Sequence, residues 1–293
     1  MNSNRTAWLL ISPTIFILVL VGLVPFLYVL YVGFFNWMPL GKVKDMQFIS
    51  LGYNYRELMF DEYFIESIWR SIQFSITTLF FELSIGFLLA LSLLSSFPLK
   101  SFFRSVHTLP LVIAPIVVGA IFKLFLVNGL GPIPYFAKEF FDYRFNYMKS
   151  EDLAFWVLVV MDVWHWTPFV TLTLLAGLSA LPQDPYESAK IDGANNFQIF
   201  TYITIPMLMP VLVVVIFIRL MDSLKIVDEV WMLTGGGPGY STRFTGIHIW
   251  KEVFEKRTYG YGSAMSILYL YITIVICWVL YSVMVSRGKV DED

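Results

Sequence analysis

Residues 186–206 read YESAKIDGANNFQIFTYITIP, a polar interval long enough to fold that interrupts the apolar second half of a 293-residue chain. Just before it, Asp184 and Pro185 supply a helix start. Aspartate can cap, proline suits the first helical position, and Glu187 falls at the third, so Asp-Pro-Tyr-Glu reads as an aspartate form of the capping box. Tyr186, Ala189, Ala194, Phe197 and Ile203 then recur at roughly helical spacing, with Lys190, Asp192, Asn195 and Gln198 between them. The segment predicts an amphipathic helical plug, too polar to span a bilayer.

Working outward, 57% hydrophobic, 18% aromatic and only 14% charged residues place the chain in a membrane. A net charge of −2 offers nothing for nucleic acid. The one cysteine, Cys277, excludes an intrachain disulfide framework or a cysteine metal site, and His107, His165 and His248 are too scattered for a zinc motif. No HExxH, GxSxG, P-loop or GxGxxG pattern occurs, so the chain reads as neither an enzyme nor a metal or cofactor binder.

The spans follow from apolar runs of about 20 residues or more. The first covers about 7–34. It is too long for a signal h-region and is closed by no small-x-small site, so it predicts a retained span. The second covers 67–96, with Glu82 its one charge away from the ends. After the short turn FPLKSFFR comes a third over 106–127, broken by Pro110 and Pro115, with Lys123 near enough to its end to snorkel. A fourth covers 154–180, a fifth 206–233 and a sixth 261–286, ahead of the tail RGKVDED. Six spans put both termini on one side, and Lys and Arg close to the spans favour, by a thin margin, the termini and the short turn as cytoplasmic.

At the plug the sequence resembles the inner-membrane permease subunits of binding-protein-dependent ABC importers, whose cytoplasmic loop reads EAA, three residues, G, then IxLP. Glu187, Ser188 and Ala189 stand for EAA, Gly193 for the glycine, and Ile203, Thr204, Ile205 and Pro206 for IxLP. Ser188 and Ile205 depart from the pattern, both conservatively in size. DVWHWTPFVTLTLLAGLSALP before the loop and RLMDSLKIVDEVWMLTGGGPGYST after it are similar to the carbohydrate-transporting branch, the maltose and glycerol-phosphate type. The resemblance covers roughly residues 67–286. It implies an all-α integral membrane protein with six transmembrane helices in the type I ABC importer permease fold. The organisation it implies is a first span and extracytoplasmic loop over 1–66, a permease domain over 67–286 with its coupling loop at 181–206, and a cytoplasmic tail over 287–293.

The resemblance further implies a prokaryotic inner-membrane location with both termini cytoplasmic, and import of a carbohydrate by alternating access. The partners it implies are a second related permease, two ATPase subunits that use ATP and Mg²⁺, and an extracytoplasmic sugar-binding protein. This chain itself would bind no cofactor. Tyr186, Glu187, Ser188, Ala189, Asp192, Gly193, Ala194 and Pro206 are the residues expected to couple to the ATPase. Gly193 can adopt positive φ and so can end one short helix and let another begin, and Pro206 would start the fifth span where its missing N–H costs nothing. An interfacial helix without a partner is the plainer reading of the same pattern.

Charged residues inside spans mark a pathway, a relay or a packed polar contact. Asp162, His165, Trp166 and Phe169 fall at i, i+3, i+4 and i+7 on the fourth span, and Arg219, Asp222, Ser223 and Ile226 repeat that spacing on the fifth. At 1.5 Å per residue both clusters lie roughly 22 Å from the plug, near the level of Glu82. Carboxylate and guanidinium groups suit vicinal hydroxyls and an indole face covers a sugar ring, so these nine residues predict a substrate pathway. Pairing of Arg219 with Asp222 or Glu82 merely to join helices is the structural alternative. The glycines of LTGGGP, Gly235, Gly236 and Gly237 with Pro238, read as a tight turn after the fifth span, and by resemblance as a contact for the binding protein. Two other functions stay open: an ion-coupled secondary transporter using Glu82, Asp162 and Asp222, and a membrane-embedded enzyme using Asp162 and His165. The first lacks an internal repeat, the second any nucleophile or metal constellation.

Overall fold

The computed structural model describes residues 3–289, and side chains over 8–284. The last four residues of the expected 287–293 tail therefore lie outside the described residues. Helix dominates, and among the described residues five helices are long and apolar enough to cross a membrane, or six if one bent pair is counted as a span. The chain divides into two compact units, Met1–Glu66 with His248–Ile272 and Ser67–Ile247 with Thr273–Asp293.

In the first unit, α1 (Ser3–Leu18) and α2 (Val24–Val32) are joined through a π-turn at Val19–Leu23 into the span Trp8–Val32. Strands β1 (Phe35–Asn36) and β2 (Gln47–Phe48) pair antiparallel, Phe35 opposite Phe48, ahead of α3 (Tyr53–Met59). Asn54 on α3 donates to the carbonyls of Gly33 and Phe35 at 2.9 and 3.0 Å, which ties the chain leaving the first span back onto α3.

The second unit holds most of α4 (Glu62–Leu94), then α5 (Lys100–Val112), α6 (Pro115–Leu126), α7 (Pro132–Phe141), α8 (Glu151–Ser179), α9 (Asp184–Ile191), α10 (Asn196–Ile199), α11 (Ile205–Leu224) and α12 (Asp228–Leu233). The chain then enters α13 (Thr245–Trp250), and the last described helix is α14 (Tyr259–Lys289), which begins in the first unit and continues into the second. Leu174, Leu178, Leu208 and Val215 fill the seam between α8 and α11, and Leu220, Leu224 and Cys277 close a second apolar contact between α11 and α14. Gly86, Gly119 and Gly177 sit where helices approach closest. A Cβ on Gly119 would stand 2.8 Å from the Glu229 carbonyl oxygen of α12.

The structure corrects the sequence reading in several details. The third span starts at Lys100, inside the segment taken as a turn, and tolerates Pro110 within α5. Its single break falls at Ile113–Ala114, where Pro115 forces Ala114 out of the helical region (φ −63°, ψ 140°) and the two halves bend by 101°. The fifth span ends at Leu224 rather than 233, and Asp228–Leu233 forms the separate α12. Asp184 is the first residue of α9 instead of its cap, and its side chain bonds no helical amide. The true capping box sits at Asn195 and Gln198, whose side chains and amides bond reciprocally at 2.9 and 2.8 Å.

Pro206 likewise does not start the fifth span, since helix runs from Asn196 to Leu224 without a gap. A π-turn at Phe200–Thr204 precedes the proline, with the Ile205 amide reaching back to Phe200. The same arrangement precedes Pro25, where Val24 reaches back to Val19. The widened turn gives the ring room while the helix continues. Because α6 and α12 meet backbone to backbone, Gly119→Ala should destabilise the purified protein by about 1–3 kcal/mol, read as a lower thermal midpoint in detergent, whereas an unchanged midpoint would mean that the approach is looser.

Candidate functional site

Three spans deliver charge to one buried point. Arg219 on α11 donates from Nε to Glu82 Oε2 at 2.6 Å and from Nη2 to Glu82 Oε1 at 2.5 Å, a bidentate pair with α4. The same Nη2 donates to Asp162 Oδ2 on α8 at 2.9 Å. All three side chains are at most 1% exposed. The Trp166 ring covers the guanidinium, 4.6 Å from its carbon to the ring centroid, and Phe169 meets Trp166 edge to face at 6.3 Å. Arg219 Nη1 is buried and makes no hydrogen bond.

His165, one residue before Trp166, forms a second buried link. Its Nδ1 lies 2.7 Å from Glu229 Oε1 on α12, and its Nε2 lies 3.2 Å from the carbonyl of Ile113 at the break between α5 and α6. The sequence reading missed Glu229. It falls near the end of the expected fifth span beside Asp228, and only the fold shows Asp228 exposed while Glu229 is buried.

The structure thus brings together Glu82, Asp162, His165, Trp166, Phe169 and Arg219. Asp222 is not among Arg219's hydrogen-bond partners. It is half-buried and lies 3.6 Å from the mostly exposed Lys225, a pairing of small energetic weight. Ser223 is buried and bonds the Leu220 carbonyl. Ile226 stands beyond the end of α11 in an apolar cluster, so it does not continue the helical face of Arg219 and Ser223.

The plug is a helix, a glycine corner and a second helix. Gly193 adopts φ +79° between α9 and α10, a conformation that L side chains rarely take. Tyr186, Ala189, Ala194 and Ile203 turn partly inward, and the Tyr186 hydroxyl donates to Thr204 Oγ1 at 3.2 Å. Phe197, the fifth member of that stripe, faces outward (76% exposed) together with Ile191 (86%) and Tyr202 (75%), and Tyr202 also edges a cleft of about 350 Å³ that reaches Asp192, Gly193 and Gln198. Glu187, Ser188 and Asp192 are exposed, as is Pro206. Gly235 and Gly236 take positive φ in a turn closed by a bond between Thr234 and Thr242 at 2.8 Å and one from Thr242 to the Gly237 carbonyl at 2.7 Å. Gly237 and Pro238 are half-buried there.

A larger groove of about 630 Å³ lies between α4, α5 and α8, along Phe81, Leu89, Val106, Trp156 and Trp164. Its walls are apolar apart from His107 and Thr167, so it lacks the convergent polar groups of a sugar site.

Long apolar helices around a buried charge cluster, with an amphipathic insert between two of them, define a mainly helical, multi-span integral membrane protein. A profile described as "Binding-protein-dependent transport system inner membrane component" matches residues 82–286, and the chain belongs to that family. It is 32% identical over 259 residues to the trehalose/maltose transport system permease protein MalF of Thermococcus litoralis, covering 87% of this chain and 86% of that one. It is 28% identical over 284 residues to the probable starch degradation products transport system permease protein AmyD of Thermoanaerobacterium thermosulfurigenes, covering 97% and 95%. The fold matches a bacterial ABC transporter involved in the import of the acidic polysaccharide alginate, at TM-score 0.79 and 22% identity over 96% of each chain. The chain is accordingly a permease component with the type I importer fold, and not an enzyme.

Arg219→Leu strands two buried carboxylates and should destabilise the protein by about 3–5 kcal/mol, seen in a detergent unfolding titration. Adding Glu82→Gln and Asp162→Asn removes the stranded charges and should recover most of that loss; no recovery would mean that the guanidinium acts through packing alone.

Proposed function

We propose that this chain is one of two related permease subunits of an ATP-binding-cassette importer, and that it passes a carbohydrate released by an extracytoplasmic binding protein across the inner membrane. ATP and Mg²⁺ are handled by two partner ATPase subunits, whose hydrolysis drives alternating access. The insert and both termini face the cytoplasm. The observation that carries this reading is the unbroken helix Asn196–Leu224, which begins beside the exposed Phe197 and ends past Arg219. A push on the insert is delivered along one rigid element to the charge cluster.

The carbohydrate assignment rests on the relatives that transport trehalose, maltose and starch degradation products. The half-buried indole of Trp166 is consistent with it, offering an apolar face to a sugar ring. Trp166, Phe169 and Asp222 are the groups proposed to meet the sugar. Arg219, held by Glu82 and Asp162, and His165 lie against Trp166 and fix its position, while Ser223 and Ile226 serve the packing at the end of α11. An ion-coupled relay through Glu82 and Asp162 would need carboxylates free to exchange an ion, and Arg219 bonds both. Ile191, Phe197 and Tyr202 supply the apolar contact with the ATPase, with Glu187 and Asp192 at its polar rim. The turn at Gly235, Gly236, Gly237 and Pro238 faces the binding protein.

Gly193→Pro cannot adopt φ +79°, and Glu187→Lys reverses a charge of the insert. Each should abolish ATP-driven sugar uptake by vesicles holding the whole transporter while membrane insertion persists. Full uptake by either variant would refute the coupling role. Trp166→Ala and Asp222→Ala should change substrate-stimulated ATP hydrolysis or sugar selectivity, and normal behaviour of both would make those residues structural.

A further inference from the structure

We infer that His165 and Glu229 share a single proton, and that this proton-bridged pair is the positioning device that fixes the bent third span against α12. Both imidazole nitrogens face oxygen: Nδ1 a carboxylate at 2.7 Å, Nε2 the Ile113 carbonyl at 3.2 Å. A carbonyl oxygen has no hydrogen to give, so Nε2 is the donor there. A neutral imidazole has only that one N–H. The short contact at Nδ1 therefore needs one more proton, carried either by the ring or by the Glu229 carboxyl. In both cases a single hydrogen lies between Nδ1 and Oε1.

The groups that the bridge joins explain its position. An unbroken helix would direct the Val117 amide to the Ile113 carbonyl, but Val117 bonds Ala114 instead, at 2.9 Å. The break thus frees a carbonyl within the third span, and His165 from α8 satisfies it. On the other side, Glu229 is held by its own backbone against Gly119 of α6. The two halves of the bent span and α12 are thereby closed into one loop of contacts through a single imidazole. The charged groups acting on the pair are Asp162 on α8 itself and Arg219 on α11, while α5 and α6 face it with the Ile113 carbonyl and the Gly119 backbone.

The sign of the pH dependence follows. At alkaline pH the shared proton is lost, leaving one N–H for two acceptors, and either the Ile113 carbonyl or the carboxylate loses its donor. The bent span then loosens. Glu229→Gln replaces the shared proton with a permanent one. Its carboxamide N–H donates to Nδ1 of a neutral imidazole whose Nε2–H still reaches Ile113.

The test uses the complete transporter in lipid nanodiscs over roughly pH 6 to 10, a range that brackets the ordinary imidazole value with an alkaline margin. Two quantities are read, the thermal midpoint and binding-protein-stimulated ATP hydrolysis, for wild type, Glu229→Gln and Glu229→Ala. Wild type should lose stability on the alkaline side. Glu229→Gln should match wild type at neutral pH and lack that alkaline loss, and Glu229→Ala should be destabilised throughout. Coincident alkaline profiles for wild type and Glu229→Gln would overturn the shared proton, as would a flat wild-type profile or a Glu229→Gln that behaves like Glu229→Ala. The link to transport rests on the proposed import function. If stability separates the variants as stated but ATP hydrolysis does not follow it, the bridge stands and that link falls.

Discussion

A guanidinium in the interior of a membrane protein has to be neutralised where it stands, and Arg219 meets that constraint with carboxylates from two other helices. The bidentate bond to Glu82 and the single bond to Asp162 join α4, α8 and α11 at one depth. Apolar seams such as Leu174 and Leu178 against Leu208 can slide by a methyl group at little cost, but a fork of short charge-assisted bonds cannot. The cluster therefore sets the register of the three helices, and the aromatic pair Trp166 and Phe169 inherits its position from it.

Two of these helices, α8 and α11, lead out to the insert. α8 enters it at Ser179, α11 leaves it through the π-turn at Phe200–Thr204, and Gly193 makes the corner between. The π-turn lets Pro206 sit within a helix that stays continuous, so the exposed Phe197 and Tyr202 and the buried Arg219 belong to one lever. His165 and Glu229 perform the corresponding task for the third span, where Pro115 breaks the helix and frees a carbonyl. Both devices answer a local demand of proline, one by widening the helix and the other by borrowing a donor from a neighbour.

Much of this was legible in the residues because it rests on rules with short range. Long apolar runs mark spans, Gly193 marks a corner, and intramembrane charge marks a site, so Glu82, Asp162 and Arg219 stand out from the sequence without knowledge of their partners. What escaped depended on tertiary packing. The apolar run extends the fifth span to 233, but the helix stops at Leu224, and run length alone does not reveal the short break that makes Asp228–Leu233 a separate helix. Of the plug's apolar stripe, Tyr186, Ala189, Ala194, Phe197 and Ile203, only Phe197 faces fully out, and it does so alongside Ile191 and Tyr202, which the spacing leaves outside the stripe. Spacing gave no sign of this, because the corner at Gly193 resets the helical phase between them. Glu229 was hidden for a similar reason: adjacent Asp228 and Glu229 look alike in sequence, and only the close approach of α12 to Gly119 buries the second.

The central claim is that the insert is the contact through which an ATPase subunit drives the spans. Site-specific photo-crosslinking from Phe197 in the assembled transporter tests it most directly. The account predicts a crosslink to the ATPase subunit whose yield changes when ATP is trapped, and crosslinks confined to lipid or to this chain itself would contradict it.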